Sequence, residues 1–100
     1  MLKVIKRPLA EADLINIWLY TFETWNEQQA DDYLKGMEAT IQSIAENPKI
    51  GMKIDHIREG YRQYKHQHHL ILYMCIPAAI DIIRIFHERM DVEPHAAALT

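Results

Sequence analysis

Hydrophobic and polar positions change period twice along this chain, from a short alternation to a helical spacing and back to strand-like runs. Leu2 to Lys6 alternates and predicts a short first strand. Pro8 ends it and suits the first turn of a helix, where a missing N–H breaks no bond. Leu14, Ile17, Trp18, Thr21, Phe22 and Trp25 then recur at three- and four-residue intervals, which predicts a helix with these side chains along its inner side. Glu11 and Asp13 fall near its N-terminus, where negative charge is favoured. Trp18, Phe22 and Trp25 read as packing residues, and Trp25, beside the next turn, is the one best placed to reach a partner. Asn26 can cap a second helix, with Gln29 reciprocating three residues later. That helix carries Ala30, Tyr33, Leu34, Met37, Ile41, Ile44 and Ala45 on its stripe and stops at Asn47-Pro48.

Two helices with almost no linker form an antiparallel hairpin whose apolar stripes must cover something larger. The second half of the chain supplies it. Residues 47–59 contain Pro48 and Gly51 and read as irregular. Gly60 to Lys65 alternates in part, His69 to Ile76 is a continuous apolar strand, and Ile80 to Phe86 is the last long strand. Pro77 to Ala79 is the turn between the last two, which makes them hairpin partners. Simple alternation places Ile83 and Ile85 on one face of the last strand, and Ile82, Arg84 and Phe86 on the other. The fold class is α+β: an N-terminal strand and an antiparallel helical hairpin packed on a twisted, mostly antiparallel sheet. One domain over residues 1–100 is expected, with 93–100 as a short tail.

Composition narrows the function more than the fold. The net charge is −3, which argues against a general nucleic-acid coat, because phosphate binding needs a surplus of Lys and Arg. The charge is segregated: residues 11–46 hold eight acidic side chains and one lysine, whereas 49–91 hold seven Lys or Arg, five acidic residues and five of the six histidines. A local cationic surface on an acidic molecule is therefore possible. Cys75 is the single cysteine, which excludes an internal disulfide and suits a reducing cytoplasm. Its apolar run predicts a packed core thiol. No apolar stretch reaches transmembrane length, so a soluble cytoplasmic product without a membrane partner is expected.

Candidate chemistry gathers at the end of the last strand, where Arg84, His87, Arg89 and Asp91 follow one another closely. Arg84 faces apolar neighbours and requires a carboxylate or a partner; Asp81 falls on the other strand face by alternation, leaving Glu88, Asp91 or a helix residue. Arg89 and Asp91 can form a local ion pair. Arg58 and Arg62 flank Gly60-Tyr61. Histidines 66, 68 and 69 surround a turn at Gln67 and read as exposed, with His69 able to hydrogen-bond at the start of its strand. No Cys or carboxylate at a supporting spacing points to a metal, and no cofactor is implied.

Taken in order, several segments resemble the ParE toxins of the RelE/ParE toxin–antitoxin superfamily. They are Pro8-Leu-Ala-Glu-Ala-Asp-Leu-Ile-Asn-Ile-Trp18, Tyr20-Thr21, Trp25, Gln29-Ala30, Asn47-Pro48, Gly51, Ile57-Arg58, Gly60-Tyr61-Arg62, His69 with Tyr73, and Ile82-Ile-Arg-Ile-Phe-His-Glu-Arg-Met-Asp91. The resemblance implies a RelE/ParE-like fold and a type II toxin that inhibits DNA gyrase by stabilising its cleaved-DNA complex. It also implies neutralisation by a ParD-like ribbon-helix-helix antitoxin, with operator DNA reached only through the toxin–antitoxin complex. Such an inhibitor needs no active site. The partner-binding candidates are Arg58, Arg62, Ile82, Arg84, Phe86, His87 and Arg89, on the sheet face away from the helices. The alternative is a ribosome-dependent mRNA endoribonuclease of the RelE type. That chemistry needs an acid, a base and cations around one phosphate, for which Arg62, Arg84 and His87 are the candidates if they converge.

Overall fold

The computed structural model describes residues 2–90. Its order is β1 (Lys3–Lys6), α1 (Pro8–Thr24), α2 (Glu27–Glu46), β2 (Met52–Lys53), β3 (Tyr61–His66), β4 (His69–Ile76) and β5 (Ala79–His87). The expected tail at 93–100 and the Arg89–Asp91 pair both involve residues outside this range. The predicted helices and the three long strands are present. The two-residue β2, inside the stretch expected to be irregular, is additional. Asn26 caps α2 by accepting from the Gln29 N–H at 2.8 Å, which is one half of the expected capping box.

The five strands run in the order β1-β5-β4-β3-β2. Consecutive pairs from β2 to β5 are antiparallel, whereas β1 lies parallel to β5, with Lys3 opposite Ala79 and Lys6 opposite Ile82. The first strand therefore depends on the last for its place. Among the described residues no helix is long and apolar enough to cross a membrane.

A β-bulge decides which side chains face the helices. Leu72 pairs with Arg84 and Tyr73 with Ile82, so Ile83 is the extra residue of β5. Ile80, Ile82 and Ile85 consequently share the helix-side core with Leu14, Ile17, Met37, Ile41, Ile44, Ile71 and Tyr73. Ile83 and Phe86 join Ile54, Tyr61 and Leu72 in a second cluster. The alternation predicted for β5 is thus wrong at Ile82, which lies under the helices with no exposed surface, and at Ile83, which shares the face of Phe86 and not that of Ile85. The bulge also brings Asp81 and Arg84 to one face, since their partners Met74 and Leu72 are two apart on β4.

The helical hairpin departs from expectation on its outer side. Trp18 is half-buried, stacked on Phe22 at 5.2 Å and donating to Asp31 at 2.9 Å. Phe22 and Trp25 are exposed, and Ile15 and Leu19 join them. Ile15, Leu19 and Phe22 recur at four and three residues, so they form one uncovered apolar stripe. The inward stripe is narrower, made by Ala10, Leu14 and Ile17. Cys75 is also exposed rather than packed, because it lies one residue past the last β3–β4 pair, Tyr61 with Met74.

Candidate functional site

Arg84 finds its carboxylate 71 positions away. Its Nε and Nη2 donate to Asp13 of α1 at 2.7 and 2.9 Å, and the same carboxylate accepts the Ile85 N–H at 2.9 Å. This pairing follows from the short reach of β1. Past Ile82, whose carbonyl accepts the Arg7 N–H, no strand among the described residues covers the edge of β5, and Asp13 fills that gap. The Asp13 carboxylate raises the Arg84 pKa further, and the guanidinium also lies 4.9 Å from the Phe86 ring centroid. Arg7 and Asp81 form a second two-pronged pair nearby, with distances of 3.1 and 2.9 Å to Oδ2. Arg84 thus fastens α1 to the sheet edge, and its fork is already occupied.

Arg62 performs a different task on the other face. Its register partner Tyr73 belongs to the helix-side core, whereas Leu72, the partner of Arg84, belongs to the opposite cluster. Arg62 Nη1 donates to the Gly51 carbonyl at 2.7 Å. Tyr73 Oη donates to Pro48 O at 2.7 Å and accepts the Gly51 N–H at 2.9 Å. Together they tie down the loop before β2, and burial pushes the Tyr73 hydroxyl pKa up. Arg58 is half-buried with its guanidinium 6.0 Å from the Tyr61 centroid, and Arg89 is exposed. The seven proposed binding residues therefore do not make one surface: Ile82 is inside, Phe86 is 1% exposed, and the arginines are dispersed.

His87 lies on the helix side, paired with His69 and stacked edge-to-face on it at 5.3 Å. Arg62, Arg84 and His87 are accordingly split between two faces of the sheet. They do not converge on a common point as cleavage of an RNA phosphate would require.

Sequence reasoning missed the assembly around His87. The Tyr33 hydroxyl lies 2.5 Å from His69 Nδ1, and His66 Nδ1 lies 2.7 Å from Thr40 Oγ1. His66 is therefore a half-buried strand residue packed near Gly36, not an exposed turn histidine. Burial and the neighbouring imidazole of His87 lower the His69 pKa to about 4. The turn at Gln67 does expose His68, which with Lys65 holds Glu88 and drives its pKa well below the ordinary carboxylate range. A pocket of about 280 Å³ opens beside these residues, lined also by Tyr20, Thr21, Trp25 and Gln29. A wider cleft of about 590 Å³ runs along Lys53, Asp55 and Glu59 to Arg62.

Comparison with known proteins is consistent with this architecture. The family described as "ParE toxin of type II toxin-antitoxin system, parDE" matches residues 4–92. Toxin ParE1 of Mycobacterium tuberculosis is 39% identical over 87 residues, covering 86% of this chain and 89% of that protein. Toxin ParE1 of Caulobacter vibrioides is 37% identical over 86 residues, covering 86% and 88%. A solved structure described as the chromosomal ParDE TA system from P. aeruginosa superposes with a TM-score of 0.76 at 16% identity, over 87% of this chain and 96% of the other, and so shares the fold. By sequence over nearly its whole length, this chain belongs to the ParE toxin family of type II toxin–antitoxin systems.

Proposed function

We propose that the chain acts in the cytoplasm as a non-enzymatic inhibitor of DNA gyrase, binding the enzyme with cleaved DNA and holding it there. The family match over residues 4–92 carries this reading. The separation of Arg62, Arg84 and His87 supports it against ribosome-dependent RNA cleavage, because their known bonds serve Gly51, Asp13 and the Arg89 N–H. A poison needs only to bind one state of its target more tightly than another. The test is a supercoiling and DNA-cleavage assay with purified gyrase. Loss of supercoiling with accumulation of enzyme-linked linear DNA is expected. Unchanged gyrase, with mRNA cut on ribosomes by the same preparation, would replace this reading with the nuclease one.

A ParD-like ribbon-helix-helix antitoxin is the proposed neutralising partner, and operator DNA is contacted only through that complex. The uncovered stripe of α1 supports docking there, in place of the sheet-face groove around Ile82. Ile15, Leu19 and Phe22 are 61%, 44% and 45% exposed, whereas Ile82 offers no surface. An apolar stripe at three- and four-residue spacing suits an amphipathic partner helix. Leu19→Glu and Phe22→Glu should each weaken antitoxin binding at least about tenfold, measured by calorimetry, because a buried charge there lacks a partner. Leu19→Glu should melt as the parent does, whereas Phe22→Glu also loses the stack on Trp18. Full antitoxin affinity in both variants would place the antitoxin elsewhere.

A further inference from the structure

The pocket between the helical hairpin and the β3–β4 turn has an unusual inventory of hydrogen-bonding groups. Tyr20, Thr21 and Trp25 come from the end of α1, Gln29 and Tyr33 from the start of α2, and Gln67, His68, His69 and His87 from the sheet. At about 280 Å³ it lies near the lower end of ligand pockets, which run from about 300 to 1,000 Å³. Tyr20 and Trp25 are 69% and 66% exposed, so two aromatic side chains flank the opening.

The hydrogen bonds admit, for each imidazole, the tautomer with its proton on Nε2. The Tyr33 hydroxyl, kept protonated by a pKa that burial raises, lies 2.5 Å from His69 Nδ1 and 3.5 Å from the His66 carbonyl, and we assign its proton to the shorter contact. The proton of neutral His69 is therefore on Nε2. His87 Nδ1 accepts the Arg89 N–H at 3.1 Å, so its proton is on Nε2 as well. Among the described residues the hydrogen bonds of both rings run through Nδ1, while the lone buried unpartnered side-chain nitrogen is Nε2 of His66, in the adjoining layer under α2. The pocket thus offers two imidazole N–H donors and the amides of Gln29 and Gln67.

Its charge balance limits what those donors can hold. The Lys65 ammonium at 3.0 Å and His68 Nδ1 at 2.6 Å are both taken by Glu88, and no Lys or Arg among the described residues lines the cavity. A phosphate, with its higher charge, finds no guanidinium or ammonium to compensate it. No three His, Cys, Asp or Glu side chains among the described residues are placed to share a metal ion. A singly charged, planar acceptor on an apolar stem matches both the two donors and the aromatic flanks.

The geometry points to this pocket as a binding site for a carboxylate carried on an aromatic group, received by His69 and His87 Nε2–H and flanked by Trp25. Such a group can be a free aromatic acid or the acidic and aromatic side chains of a partner segment. Bound anion opposes the burial and the like-charge pressure that keep His69 neutral, so it favours a proton on His69. Glu88, which follows His87 in the chain, is paired with Lys65 and His68.

The test is titration of the purified full chain at pH 7, followed by ¹⁵N imidazole correlations and the Trp25 indole resonance. Four probes separate the contributions: phenylacetate, phenylacetamide, phenethylammonium and inorganic phosphate. Phenylacetate should shift both Nε2 resonances and the Trp25 indole, binding at least about tenfold more tightly than phenethylammonium or phosphate and about threefold more tightly than the amide. His87→Ala and Trp25→Ala should each lower phenylacetate affinity about fivefold; Trp25 is exposed, so its variant should melt as the parent does and keeps the test independent of folding. An acetylated, amidated tripeptide of leucine, glutamate and phenylalanine distinguishes the sources: tighter binding than phenylacetate assigns the site to a partner segment, weaker binding to a free acid. A proton on Nδ1 of His69, no shift with phenylacetate, or equal affinity for phenethylammonium or phosphate would overturn the assignment. None of these readouts involves gyrase or antitoxin.

Discussion

Replacing Asp13 by alanine tests the account of the sheet edge. The substitution removes both acceptors of the Arg84 fork and the acceptor of the Ile85 N–H in one step. The pair is neither fully buried nor exposed: the side chains of Arg84 and Asp13 are 21% and 12% accessible. Breaking a fully buried pair costs about 3–5 kcal/mol, and an exposed one about 0–1. An intermediate value of about 1.5 kcal/mol is appropriate here. The stranded N–H adds about 1 kcal/mol, near the lower limit for such groups because water can reach an edge. The total, about 2–3 kcal/mol, is a large share of the roughly 5–15 kcal/mol available to a small domain. It corresponds to a fall in Tm of about 10–20 °C. Urea unfolding followed by circular dichroism should show a lower midpoint with an unchanged slope. Asp13→Asn, which keeps an acceptor but no charge, should lose about half as much. Arg84→Met in the Asp13→Ala background should recover stability by removing the stranded cation. A loss below about 0.5 kcal/mol for Asp13→Ala, or additive losses in the double variant, would show that the pair does not hold α1 on the sheet.

Gly51 accepts no side chain, since a Cβ there would lie 2.7–2.9 Å from carbons of the Tyr73 ring; Gly51→Ala should cost about 2 kcal/mol in chemical denaturation, and a neutral result would refute the loop clamp. Ala78 has a φ of 64° after Pro77, the pattern of a type II turn, so Ala78→Gly should raise stability by about 0.5–1 kcal/mol in the same assay. His69 has a folded pKa of about 4, below its unfolded value near 6.5, so the folded state binds fewer protons between those values. Stability should therefore fall as pH drops from 6.5 to 4, and His69→Gln should flatten that part of the melting profile. An unchanged slope would assign the acid sensitivity to other groups.

Local period made the elements readable, while tertiary register hid the site. The helical spacing from Leu14 to Trp25 and from Ala30 to Ala45 located both helices, and the turn signals at Gln67 and Pro77 bounded β4. Alternation failed at Ile82 because the two polar residues of Ile80 to Phe86, Asp81 and Arg84, are three apart, a spacing that simple alternation splits between two faces and only a bulge brings to one. The same bulge concealed the pairing of His69 with His87: counting back from Ile76 opposite Ala79 puts His69 against Phe86. Arg84 was identifiable as a residue in need of a carboxylate, but Asp13 looked like a helix-terminus charge. Its second role depends on β1 pairing with β5 only as far as Ile82, which the local stop at Pro8 does not reveal. Trp25 fitted an amphipathic stripe by spacing alone, yet α1 is apolar on more than one side, so periodicity could not say which side the sheet takes.

The parallel seating of β1 against β5 has a consequence for the order of folding. Lys3 and Ala79 are neighbours in the sheet but 76 positions apart in the chain. During synthesis the first strand waits for the last, and both helices emerge before the β4–β5 hairpin that will cover their inner stripes exists. Closure of that hairpin through the Pro77–Ala78 turn must precede the seating of β1, because β5 is its one partner strand among the described residues. Nearly the whole chain must be made before its sheet can be completed, which places the assembly step late and ties its rate to a single two-residue turn.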